Sequence, residues 1–63
     1  MVKLNKTDEI IVSTLKKEGK GLTLQEIAEK TGESEKKVFR SLRKLFENEM
    51  IDTKERKYKL ISH

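Results

Sequence analysis

Residues 22–45 read LTLQEIAEKTGESEKKVFRSLRKL, and the punctuation of this stretch decides the fold. Thr23-Leu24-Gln25-Glu26 is a T-x-x-E capping box, in which the Thr side chain and the Glu side chain each satisfy a backbone N–H at a helix start. Ile27 and Ala28 follow on the face of Leu24, and Gly32 closes a helix of about two turns. Ser34 then caps a longer helix whose apolar stripe is Val38, Leu42, Leu45 and Phe46, with Phe39 at one margin. The other side of that helix carries Lys36, Lys37, Arg40, Arg43 and Lys44. The small Ala28 lets the two helices cross closely, and Gly32 can take the positive φ that the turn between them demands.

Working outward towards the N-terminus, Thr7 is expected to cap a first helix with Asp8 and Glu9 at the positive end of its dipole. Ile10, Ile11, Thr14 and Leu15 recur at helical spacing until Gly19 stops the helix. Met1 to Lys6 reads as a loose lead-in, and Lys20-Gly21-Leu22 as a turn leading into a brief extended segment. Towards the C-terminus the period changes after Glu49 from helical to alternating. Met50 to Thr53 and Lys57 to Ile61 are expected strands of a tight hairpin, separated by Lys54-Glu55-Arg56, with Tyr58 and Leu60 on one face. Tyr58 is read as core, and Ser62 and His63 as a frayed end.

With 63 residues and no cysteine, one hydrophobic core must hold the chain without disulfides or thiolate metal sites. The expectation is one domain over residues 1–63 with its ordered core at 7–61. Charged residues make up 41% of the chain, and their placement matters more than their number. Lys and Arg cancel the acids over residues 1–34, whereas residues 35–63 hold nine Lys or Arg against five acids, which is the whole net charge of +4. Any contact with a polyanion therefore belongs to the second half.

The order helix, short strand, helix, tight turn, helix, hairpin resembles the winged helix-turn-helix family over residues 7 to 61. Leu22 to Gly32 resembles the first helix and turn of that family's helix-turn-helix, Ser34 to Leu45 its recognition helix, and Met50 to Leu60 its wing. The resemblance implies an α+β, mostly helical fold of three helices with a C-terminal β-hairpin wing, and a function in binding double-stranded DNA. It implies that Lys36, Lys37 and Arg40 face base edges in the major groove, where the planar fork of an Arg can meet guanine O6 and N7 together. It implies phosphate contacts by Arg43 and Lys44, by Lys54, Arg56 and Lys57 of the wing, and by the backbone N–H of Thr23. Two residues depart from the family pattern: Glu33 stands where an apolar residue usually follows the turn glycine, and Glu49 where a glycine commonly ends the third helix.

Other chemistries find little support in the residues. Gly19-Lys20-Gly21 lacks the spacing of a phosphate-binding loop, His63 has no second ligand to make a metal site, and no Ser or Thr has an activating His. The reading is a non-enzyme without cofactor or metal. The alternative is a protein-interaction module within a replication or transcription complex, which an exposed apolar patch around Val12, Phe39 or Met50 would favour. Left-handed duplex or RNA is a third option that nothing in the residues selects, since the stacking platform expected for single strands is missing: Phe39, Phe46 and Tyr58 are the only aromatics, and most of them are expected in the core. No apolar run approaches a membrane span, so the expected setting is the cytoplasm and nucleoid, with the chain a monomer or part of a longer one. The Lys- and Glu-rich, cysteine-free balance also fits a thermophilic source.

Overall fold

The computed structural model describes residues 3–61, so the Met1 and Val2 part of the lead-in and the end at Ser62 and His63 lie outside the described residues. Its elements are α1 (Lys6–Glu18), β1 (Leu22–Thr23), α2 (Leu24–Thr31), α3 (Glu35–Glu47), β2 (Ile51–Lys54) and β3 (Lys57–Leu60). Three helices pack around one core, and a three-stranded antiparallel sheet in the order β1-β3-β2 closes it. This is the winged helix arrangement expected from the sequence.

The core consists of Ile11 and Leu15 from α1, Leu22 from β1, Ile27 and Ala28 from α2, Val38, Leu42 and Leu45 from α3, and Ile51 from β2. Every element except β3 contributes a fully buried apolar side chain, and β3 adds the half-buried Tyr58 and Leu60. Val12 and Met50 are likewise half-buried against this cluster. Each fully buried Leu, Ile or Val contributes about 1.5–3 kcal/mol.

The caps of α2 and α3 follow the sequence. Glu26 N–H donates to Thr23 Oγ1 at 3.2 Å while Thr23 N–H donates to Glu26 Oε1 at 2.9 Å, and Lys37 N–H donates to Ser34 Oγ at 3.3 Å. Gly19 and Gly32 close α1 and α2 with φ of 66° and 74°, the left-handed region that glycine enters without steric penalty. A Cβ at Gly21 would sit 3.0 Å from Lys57 Cβ, so the glycine permits the close approach of β1 to β3.

Two expectations need correction. The cap of α1 is Asn5, not Thr7: Asp8 N–H donates to Asn5 Oδ1 at 2.8 Å, and Asn5 N–H donates to Asp8 Oδ2 at 3.0 Å. Asn5-x-x-Asp8 is a capping box two residues upstream of the expected one, and Asn is the stronger cap. Leu4, just before it, packs against the core, so this part of the lead-in is anchored. The stripe of α3 is also different. Ser41 is buried and Phe46 is 49% exposed, so the inward residues are Val38, Ser41, Leu42 and Leu45 at i, i+3, i+4 and i+7. Phe46 lies about 100° round the helix from Leu45, outside that arc. Phe39 is 49% exposed as well, further out than a partly buried margin.

Candidate nucleic-acid interface

The buried arc of α3 fixes what its other side shows. Lys36, Arg40 and Arg43, at i, i+4 and i+7, form a ridge opposite the core, and all three are exposed. Phe39 sits within this ridge, three residues after Lys36 and four before Arg43. Lys37 stands on the flank facing α1, where it lines a shallow depression of about 240 Å³ with Asn5, Thr7, Arg40 and Ser41. Among the described residues, no ion pair engages Lys36, Lys37, Arg40 or Arg43.

Lys44 is in a different situation. Its ammonium donates to Asp8 Oδ2 at 2.8 Å and to the Lys3 carbonyl at 2.8 Å, and it is half-buried. Asp8 is fully buried, and its Oδ1 has no hydrogen-bond partner among the described residues. Burial pushes the Asp8 carboxyl up, but the Lys44 ammonium, the Asn5 N–H and the Ser41 hydroxyl together outweigh that and hold it below the usual carboxylate range. Lys44 thus neutralises a buried acid at the seam of α1 and α3. Sequence reading places Asp8 at the positive end of the α1 dipole and leaves its burial unread; the Asn5-x-x-Asp8 spacing is the local signal that ties it to the cap.

The wing supplies the second group of cations. Lys54, Arg56 and Lys57 are exposed and free of ion pairs among the described residues. Lys54 and Lys57 face each other across the hairpin, and Lys57 pairs on its other side with Thr23 at the start of α2. Sheet pairing therefore brings the α2 N-terminus and the wing together although they are distant in sequence. Lys54, Lys57 and Lys59 border a depression of about 360 Å³ that Asp52 and Glu55 also line, so acids are interleaved with the wing's cations. The N–H of Thr23 is already held by Glu26, whose carboxyl lies below its usual value chiefly through that bond. A phosphate reaching the Thr23 N–H would have to displace the Glu26 carboxylate. Glu33 is half-buried beside the turn, its N–H donating to Thr31 Oγ1 at 3.3 Å, and Glu35 is exposed in the first turn of α3.

Among the described residues there is no cluster of His, Cys, Asp or Glu fit to hold a metal, and no helix is long and apolar enough to cross a membrane. A short helix pair with a glycine turn, an outward cationic ridge on the second helix and a basic hairpin beside it define a protein of the helix-turn-helix class. A profile of winged helix-turn-helix DNA-binding domains matches residues 4–52, most of the chain, and the protein belongs to that family. The match takes in all three helices and ends at Asp52, within β2. No curated protein and no solved structure matches the chain significantly.

Proposed function

We propose that the chain is a sequence-reading DNA-binding domain, acting as a small transcription regulator or as the DNA-binding module of a larger protein. Helix α3 enters the major groove, with Lys36, Lys37 and Arg40 towards base edges and Arg43 towards phosphate. Lys54, Arg56 and Lys57 of the wing hold the neighbouring backbone, and Thr23 and Lys44 lie at the edges of the contact. The observation that carries this reading is the ridge of Lys36, Arg40 and Arg43, cations without an ion-pair partner among the described residues, on the side of α3 facing away from its buried residues.

Titrating a fluorescent duplex of about 20 base pairs at several salt concentrations tests it. Binding is expected to fall with salt along a log–log slope of about −4 to −6, the response to releasing counterions from that many phosphates. Changing Lys37 and Arg40 together to Glu is expected to abolish most of this binding. Undiminished binding by the double variant would move the interface elsewhere on the surface.

A second reading, as a protein-interaction module of a replication or transcription complex, is favoured by the exposure of Phe39 and Phe46. Against it, Val12 and Met50 are packed on the core, so the four residues do not make a continuous apolar patch.

A further inference from the structure

Phe39 is the residue of the ridge that electrostatics does not account for. It lies in the N-terminal half of α3, exposed, with Lys36, Arg40 and Arg43 at i−3, i+1 and i+4. Any duplex that meets those cations covers its ring, and a phenyl group set against a base edge leaves that edge's donors and acceptors unpaired. The major groove offers an apolar exception, the C5-methyl group of thymine. We infer that Phe39 is a specificity-determining residue that packs on a thymine methyl and gives the domain a preference for a thymine at one position of its site. The inference rests on the DNA-binding reading and deepens it. A surrounding of cations suits this occupant, because the thymine methyl is flanked in the groove by phosphates. A protein surface would have to supply both the acidic frame and a much larger area than one ring to bind stably.

Phe46 provides the internal control. It is as exposed as Phe39 and shares its side of the helix, but it lies two turns towards the C-terminus, away from the residues placed on base edges. A duplex selected by the wild-type protein from a randomised pool is resynthesised with each thymine in turn replaced by deoxyuridine, which removes the methyl and leaves every hydrogen bond intact. At one position the replacement is expected to weaken wild-type binding by about fourfold, the effect of one methyl group buried. Phe39→Ala is expected to bind the original duplex about as weakly and to be indifferent to the replacement, whereas Phe46→Ala keeps the full thymine dependence. If Phe39→Ala retains the thymine dependence, the inference fails while the DNA reading stands. It also fails if Phe39→Ala binds DNA normally but changes the sedimentation of the protein, which would make the ring a protein contact. If the wild-type protein enriches no duplex, the DNA reading itself fails and takes the inference with it.

Discussion

The helix pair and the wing solve their backbone problems in opposite ways. Between α2 and α3 the chain turns on Gly32, at a φ of 74°, and each helix starts on a side-chain cap. The wing turns on residues that have a Cβ: Glu49 at 57°, then Glu55 and Arg56 at 54° and 65°. At the first of these, Met50 N–H donates to the Leu45 carbonyl at 2.9 Å and Glu49 N–H to that of Phe46 at 3.0 Å, the paired bonds of a Schellman motif that ordinarily closes on glycine. At the second, two consecutive left-handed residues make the type I′ turn for which Asn-Gly is the best sequence. The wing also sets Lys54 directly opposite Lys57, a like-charge pair that weakens a hairpin. One half of the molecule is built for rigidity, and the other accepts strain while keeping charged side chains at its tip.

The largest effect that would upset this comparison lies in the helical half. Lys44→Met removes the partner of the buried Asp8 and is expected to lower the free energy of unfolding by about 2–3 kcal/mol in urea titrations, at the low end for a broken buried pair because Lys44 is partly solvated. The pH dependence has a definite sign. In the wild type the depressed Asp8 pKa contributes stability that is present above the ordinary carboxylate pKa and is lost as pH falls through the folded-state value. In the variant, burial acts with less opposition and raises that pKa, so the deficit is widest at neutral pH and narrows below about pH 4. A deficit independent of pH would mean that Lys44 acts through packing alone.

The next effect sets the two kinds of turn against each other. Gly32→Ala is expected to cost about 1–2 kcal/mol; since a Cβ there would touch nothing within 4 Å, the whole penalty is the left-handed backbone. Glu49→Gly is expected to run the other way and to raise stability by about 1 kcal/mol, read as a higher thermal midpoint. Equal signs for the two would remove the contrast between the halves.

The smallest effect sharpens it at the tip. Glu55→Asn with Arg56→Gly is expected to stabilise by under about 1 kcal/mol and to slow hydrogen exchange of the β2 and β3 amides. If Arg56 meets a phosphate, the same variant reduces the salt slope of DNA binding by about one. A firmer wing with weaker binding would show that the tip's composition serves the ligand at the expense of the fold.

Local signals carried the reading of the sequence where they were self-contained. The T-x-x-E box at Thr23, Ser34, the two helix-ending glycines and the change of period after Glu49 each act within a few residues, and all are found as expected. Glu49, noted as standing where a glycine is usual, does adopt the glycine-like backbone. Apart from the local Asn5 cap of α1, what escaped was decided by partners far along the chain. Whether Asp8 faces water or the core depends on Lys44, thirty-six positions later. Whether Phe46 or Ser41 turns inward depends on where the first helix and the hairpin leave room. The ridge of Lys36, Arg40 and Arg43 was legible from spacing, as was the hold of Glu26 on the Thr23 N–H through the capping box, but the withdrawal of Lys44 from the ridge was not.

The pairing of β1 with β3 has a topological consequence. Leu22 meets Tyr58, so the backbone from the start of α2 to the end of the wing is a closed circuit with α2 and α3 inside it. Severing the covalent chain in the turn between α2 and α3 would leave each fragment tied to the other by strand pairing and by the core.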